Sequence, residues 1–304
     1  MAGARRSSGR SSTESPKRVW PARSTITEIL LRHGLVRRRR PRQRWDHPRI
    51  ALVQATRPNH VWPADFKGQF KTGDGCYCYP VTITDHFSRR LLACRGLPQI
   101  TAAETRAVFL ALFRAVGLPD AIRTDNGMPF ASGALHGLSP LNVWWMQLGI
   151  VHQRIRPASP QENGSHERMH RELKRETALP AAKTRQAQQR KFDQFRQRYN
   201  AERPHEGIGD RTPDSLWTPS PRPYPEQPRR PAYPAVLEVR RVSRGGTISW
   251  SGQLVFLSEV LGGEDVGLEE VADGCWNIVY YTTLLGRLDV RTGQISGAPP
   301  NRSV

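Results

Sequence analysis

Between residues 51 and 180 the apolar positions switch period repeatedly, from two to about 3.6 and back, which predicts strands alternating with helices. Residues 61–70 read as a strand and Gly73-Asp-Gly75 as a hairpin turn. Tyr77, Tyr79, Val81 and Ile83 alternate through a second strand, 76–84; residues 85–88 turn the chain and 91–94 continue it. Thr101 and Glu104 form a capping box for a helix that buries Val108, Phe109, Leu112, Phe113 and Val116 and stops at Gly117. Residues 121–124 make a short strand that delivers Asp125. Ser139 caps a helix with Pro140 in its first turn, Trp144, Trp145 and Leu148 on its core face, and Gly149 at its end. A strand at 150–155, a loop at 157–164 and a helix at 165–177 complete an α/β domain that opens with a three-strand meander.

The flanks read differently. Residues 1–22, rich in Ser, Arg and Gly, have the composition of a disordered segment. Residues 22–35 carry Ile26, Ile29, Leu30 and Leu35 at helical spacing, with Ser24 or Thr25 as cap, Glu28 in the first turn and Gly34 at the end. The basic run Arg37, Arg38, Arg39, Arg40 follows, so this segment is either half of a helix-turn-helix or a basic linker. Beyond the core, residues 184–200 place Phe192, Phe195 and Tyr199 on one helical stripe. The Pro-rich stretch 219–234 marks a boundary. Residues 235–290, cut by Gly245-Gly246, Gly262-Gly263 and Asp273-Gly274, predict a small β-barrel.

Charge narrows the partner. The 304 residues carry a net charge of +19, mostly from arginine, which suits bidentate phosphate contacts and a polyanion such as nucleic acid. An arginine-rich proteome would give the same excess without a DNA role. Cys76, Cys78, Cys94 and Cys275 form no paired Cys-x-x-Cys, so they read as reduced thiols in strands rather than zinc ligands or a disulfide framework. No apolar run approaches a membrane span and no apolar segment follows the basic N-terminus, so the expectation is a cytoplasmic protein without a membrane partner.

Three acids in three short motifs are the candidate chemistry: Asp65 in Trp62-Pro-Ala-Asp-Phe-Lys67, Asp125 in Arg123-Thr-Asp-Asn-Gly127, and Glu167 in Asn163-Gly-Ser-His-Glu-Arg168. Hard divalent cations take oxygen ligands and leave positions for phosphate and water. Two such ions roughly 3.5–4 Å apart can stabilise both the entering and leaving oxygens of a phosphoryl displacement. Asp65 lies mid-strand between aromatic residues, where an acid is costly unless it binds something. Asp125 alone is an ordinary turn residue, and Glu167 alone an acid favoured at a helix start. Arg171 and Lys174, four and seven residues after Glu167, share its helical face, and Arg168 and Arg175 flank it. The bland reading of this helix is a solvated amphipathic element with Met169 and Leu173 inward. Glu162 is the competing acid, but it precedes the Asn163-Gly164 turn in a loop.

These motifs resemble those of bacterial insertion-sequence transposases with a retroviral-integrase-type catalytic core. The resemblance adds Thr84-Asp-His-Phe-Ser-Arg89, Pro160-Gln-Glu-Asn-Gly-Ser-His-Glu-Arg168, and Tyr199-Asn-x-x-Arg-Pro-His205 with Thr212-Pro213, and it spans residues 50–217. It implies a ribonuclease-H-like core in which Asp65, Asp125 and Glu167 bind two Mg²⁺ or Mn²⁺ ions and Lys174 contacts the transposon end. The stretch 239–248 is similar to the small β-barrel some of these proteins carry. The implied organisation is a basic segment with a partial helix-turn-helix (1–45), a core (46–218), a linker (219–234) and a DNA-binding tail (235–295). The implied partners are double-stranded DNA, as transposon ends and target, and further copies of the chain, at the bacterial nucleoid. Two departures stand out. Forty-one residues, 126–166, separate Asp125 from Glu167, and the excess near 132–140 is expected to be a surface loop. At the N-terminus only 20–30 matches a helix-turn-helix unit, which also fits a truncated or decayed copy that binds DNA without cutting it. A nuclease of the same fold without strand transfer is the third reading.

Overall fold

A computed structural model describes residues 23–35, 54–155, 164–228 and 230–297. The chain divides into two units, Met1–Trp45 and Asp46–Val304. In the first, α1 spans Arg23–Arg32, so Ser24 and Thr25 fall inside its first turn rather than capping it. Gly34 takes φ +67°, and this left-handed step lets the Leu35 N–H reach Leu30 O at 3.0 Å. Arg37, Arg38, Arg39 and Arg40, with the rest of the expected helix-turn-helix, lie outside the described residues.

The second unit is built on a mixed sheet. β1 (Val61–Phe66) ends earlier than the expected 61–70 strand. Gly68 at φ +57° turns its N–H back onto Phe66 O, and pairing resumes only at β2 (Phe70–Lys71). β3 (Tyr77–Thr84) runs antiparallel to β1, β2 and β4 (Leu91–Leu97). After α2 (Ala102–Val116), β5 (Ala121–Thr124) lies parallel to β1. After α3 (Pro140–Gln147), β6 (Val151–Arg154) lies parallel to β5. The order is β2-β3-β1-β5-β6, with β4 also on β3.

Helices cover both faces, because strands in the middle of such a sheet are apolar on both sides. Thr101 caps α2 through the Glu104 N–H, and Ser139 and Asn142 form a reciprocal box at α3. Phe109 and Phe113 of α2 and Trp144 and Trp145 of α3 pack on Trp62, Ile83 and Ile122. Phe109 and Phe113 are fully buried, each worth about 1.5–3 kcal/mol relative to exposure. On the other face, α4 (Gly164–Leu173), continued by a π-helical turn Lys174–Ala178, and α5 (Arg185–Ala201) bring Met169, Leu173, Phe192 and Phe195 onto Leu91 and Cys94. α5 also closes the edge of β4. Gln189 bonds Gly96 N and Cys94 O, and Asn200 bonds both backbone groups of Leu91, so the edge offers fewer free groups for pairing with another chain. The four cysteines are free; Cys78, Cys94 and Cys275 lie in strands and Cys76 in the turn before β3.

The tail is an open sheet rather than the expected barrel. β7 (Glu238–Arg241), β10 (Asp265–Ala272), β11 (Cys275–Tyr280), β12 (Thr283–Asp289) and β13 (Gln294–Ser296) pair antiparallel in the order β13-β12-β11-β10-β7. β8 (Thr247–Trp250) and β9 (Gln253–Phe256) form a separate hairpin. The sheet does not close on itself because other elements cover its apolar face. Ile248, Trp250 and Val255 of the hairpin join its core, and so do Leu138, Val143 and Met146 from around α3.

Leu138 belongs to the segment expected to be a surface loop. Instead it is 0% exposed, and Leu135 beside it packs on the same cluster. The lengthened stretch between Asp125 and Glu167 is therefore part of the platform on which the tail sits. A polar contact completes it: the Glu264 carboxylate accepts from the Gln147 amide at 3.0 Å and the Tyr280 hydroxyl at 2.9 Å. The Pro-rich stretch is bound along its course as well. Arg222 donates to the carbonyls of Pro119, Leu148 and Gly149, and Tyr224 stacks on Phe113. Gly117 is required at that crossing: its φ is +83°, and a Cβ there would lie 2.6 Å from Arg222 O.

Candidate active site

β1 and β5 place two of the three acids. Their register pairs Trp62 with Ile122 and Pro63 with Arg123, and the same offset carries Asp65 alongside Asp125 where the strands end. Asp125 accepts the Gly127 N–H at 3.1 Å, and a Cβ at position 127 would lie 3.0 Å from its Oδ2, which explains a glycine two residues after the acid. Asn126 ties the same turn to Ile155 O at 2.8 Å.

Glu167 stands in the first turn of α4, across the end of β1. A cavity of about 400 Å³ lies between them, lined by Asp65, Lys67, Glu167, His170, Arg171 and Lys174. A second, of about 290 Å³, is lined by Asp65, Tyr79, Ile100, Asp125 and Met128 among others. Asp65, Phe66 and Gly68 line both. Arg171 and Lys174 thus share a cavity with Glu167, as the helical spacing expects. Arg168 and Arg175 are exposed and line neither cavity, and Arg175 instead lies 3.8 Å from Glu176. Glu162 lies outside the described residues.

Electrostatics single out Asp65. Burial, then the nearby Asp125, push its carboxyl up to about 7; the Phe66 N–H and Lys67 oppose the shift, and Glu167 adds to it. Lys67 and His170 are the participants that the sequence reading missed. Lys67 directly follows the Asp65 motif's aromatic residue, and His170 is three residues from Glu167, so both spacings held a signal. His170 is held neutral, its pKa pushed down to about 2 by burial, then His166 and Lys67. Its Nδ1 lies 3.7 Å from Asp65 Oδ2.

The donor set fits a hard divalent cation. It is all carboxylate oxygen, and burial with the neighbouring acids raises the Asp65 carboxyl despite the opposing Phe66 N–H and Lys67. Among the described residues, no three His, Cys, Asp or Glu side chains are already drawn together around one point.

Sequence comparison identifies the domains around this site. Residues 55–160 and 148–213 each match an integrase core domain family, and residues 237–296 match the C-terminal domain of the IS481 family transposases. The chain thus carries an integrase core domain followed by a C-terminal domain of the kind found in IS481 family transposases. It is 31% identical over 178 residues to the insertion element IS476 uncharacterized 39.2 kDa protein of Xanthomonas euvesicatoria, a match covering 57% of this chain and 49% of that protein. It is 30% identical over 188 residues to the insertion element IS407 uncharacterized 31.7 kDa protein of Burkholderia multivorans, covering 60% and 63%. The chain therefore spans about half to two thirds of these relatives. Similar solved structures include the HTLV-2 integrase catalytic core in complex with magnesium, at 19% identity and TM-score 0.42 over 54% of this chain and 99% of that one. The BIV integrase catalytic core matches at 22% identity and TM-score 0.40, over 52% and 93%. The two integrase core matches contain all three candidate acids, and no helix among the described residues is long and apolar enough to cross a membrane.

Proposed function

We propose that this protein is a transposase that cuts DNA at the ends of an insertion element and joins them to a target, using Asp65, Asp125 and Glu167. The observation that carries the reading is the charge of Asp65. A half-buried carboxyl raised to about 7 by burial and then by neighbouring acids, at the lip of a cavity whose other walls hold Arg171 and Lys174, suits a site completed by cations and phosphate. The three carboxylates would hold two Mg²⁺ or Mn²⁺ ions. Bound there, such ions supply charge neutralisation for both the entering and leaving oxygens of a phosphodiester.

The chain's own residues do the rest. The strand ends fix Asp65 and Asp125 side by side, and α4 presents Glu167 from across the cleft. Lys67, Arg171 and Lys174 hold backbone phosphates beside the acids and orient the scissile bond. On this reading the mixed sheet is a ribonuclease-H-like core, the partners are duplex DNA and further copies of the chain, and the protein works at the bacterial nucleoid.

The test is cleavage and strand transfer on labelled DNA carrying the element's terminal sequences, in Mg²⁺ and in Mn²⁺. Asp65→Asn, Asp125→Asn and Glu167→Gln are each expected to lower both steps by about 10³-fold or more while DNA binding persists, because residues acting as a unit fail together. Glu162→Gln is expected to keep most activity. An inactive Glu162→Gln beside an active Glu167→Gln overturns the assignment of the third acid.

A further inference from the structure

One buried hydroxyl lies behind the site, and neither motif nor family match gives it a role. Thr82, 0% exposed, is the β3 residue registered opposite Asp65. Its Oγ1 donates to the Asp65 carbonyl oxygen at 3.2 Å. The same atom lies 2.7 Å from His166 Nε2 and 2.6 Å from His170 Nε2. A hydroxyl has one proton and two lone pairs, so three partners fill it. With the proton on the Asp65 carbonyl, both imidazoles must donate from Nε2. His166 Nδ1 is then free to accept from Thr84 Oγ1, 3.2 Å away. The two rings meet edge to face at 4.5 Å, and both are 2% exposed.

The two histidines are the residues one before and three after Glu167. α4 is therefore pinned, on both sides of its acid, to the strand pair that carries Asp65. Among the described residues, a backbone carbonyl, a hydroxyl and two imidazoles link the strand of Asp65 to the helix of Glu167, beside the approach of His170 Nδ1 to Asp65 Oδ2 at 3.7 Å. Apolar packing alone, through Met169 and Leu173, would hold α4 to the sheet but would tolerate sliding along it.

We propose that Thr82, His166 and His170 are positioning residues that set the separation and tilt of Glu167 relative to Asp65. Their chemistry is that of outer-sphere support, where loss of one group typically weakens metal affinity or activity about 10–100-fold. This inference rests on the triad reading above.

The experiment uses the full-length chain. Thr82→Val keeps the shape and removes the hydroxyl, and Thr82→Ser keeps the hydroxyl. His170→Leu removes the Nε2–H donor, and His170→Gln returns a donor near the same point. Each is assayed for kcat and KM on labelled DNA below its own Tm, normalised to folded fraction, and for the Mn²⁺ concentration giving half of the metal-induced rise in Tm. Thr82→Val and His170→Leu are expected to lose about 10–100-fold in kcat with KM unchanged and to need correspondingly more Mn²⁺. Thr82→Ser and His170→Gln are expected to recover most of both. Losses that follow Tm alone, with no recovery by Ser or Gln, overturn the proposal, as does an unchanged Mn²⁺ midpoint. Asp65→Asn in the same assay separates the two readings: if it stays active, the triad assignment fails, whatever the Thr82 variants do.

Discussion

Two aspartates, twenty residues apart, one buried and one half-buried, sit at the ends of neighbouring strands and have opposite surroundings. Asp85, just after β3, is 0% exposed. Its Oδ1 accepts from Asn59 N at 2.9 Å, and its Oδ2 accepts from Ser88 N at 3.0 Å and Ser88 Oγ at 2.8 Å. Asp65, at the end of β1, opens onto two cavities and faces two further acids. Burial raises both carboxyls. At Asp85 three donors and Arg89 oppose the rise; at Asp65 the Phe66 N–H and Lys67 oppose it, but Asp125 and Glu167 reinforce it. A buried acid whose oxygens are satisfied within the protein belongs to the fold. One whose neighbours make its charge worse is waiting for something from outside.

Activity gives the largest contrast. Asp65→Asn is expected to abolish cleavage, by about 10³-fold or more, with the protein folded. Asp85→Asn is expected to leave kcat per folded molecule within a few-fold of the parent chain. Equal losses per folded molecule in the two variants, measured on one labelled substrate, would break the comparison.

Stability should rank them the other way. An amide at position 85 must point its NH₂ at either the Asn59 N–H or the Ser88 N–H, leaving a buried donor without an acceptor. That costs roughly 1–3 kcal/mol. Asp65→Asn instead removes a poorly solvated charge and is expected to raise the Tm of the metal-free protein. The rise is a few degrees, since about 1 kcal/mol moves a domain of 150–250 residues by about 2–4 °C. Thermal melts in chelator at pH 8 distinguish a fall at position 85 from a rise at position 65.

The pH dependence sharpens this further. Unfolded, the Asp65 carboxyl ionises near 3.8; folded, near 7. Between those values the folded state holds the extra proton, so stability falls as pH rises through the window and levels off above it. The difference in Tm between Asp65→Asn and the parent chain should therefore be small at pH 4 and greatest above pH 7. Taking the difference cancels Asp85, whose raised carboxyl acts in the same direction. Saturating Mn²⁺ should erase the slope by favouring the ionised form.

How much of this was legible in the sequence follows from range. Thr101 and Glu104, or Ser139 and Pro140, lie close together, so the helix starts could be read locally. The strand carrying Asp65 and the helix carrying Glu167 followed from period alone. What could not be read involved partners far apart in the chain. Nothing near Asp85 announces Asn59, and nothing near Thr82 announces two histidines more than eighty residues away. Leu138 looked like loop because its partners, Val266 and Leu285 among them, come from the tail. The open sheet was misread as a barrel for the same reason: strand periodicity shows that one face is apolar, not what covers it.

The smallest effect extends the contrast from acids to cations. Arg203 and Lys174 both project near α4, but Arg203 is committed to Glu172 at 2.6 Å, whereas Lys174 lines the cavity with Glu167. No carboxylate is paired with Lys174 among the described residues, so its charge is available to phosphate. Each neutralised phosphate contributes a log–log salt slope of about −0.9 to duplex binding. Lys174→Ala is therefore expected to make the slope shallower by about one and to weaken binding across all sequences alike. Arg203→Ala should leave the slope unchanged and lower stability by no more than ~1 kcal/mol, since its half-exposed pair is screened by solvent. Anisotropy titrations of one duplex from low to moderate salt measure both slopes. If Arg203→Ala shifts the slope as much as Lys174→Ala, internal pairing does not decide which cations reach DNA, and the distinction drawn from Asp65 and Asp85 holds for acids only.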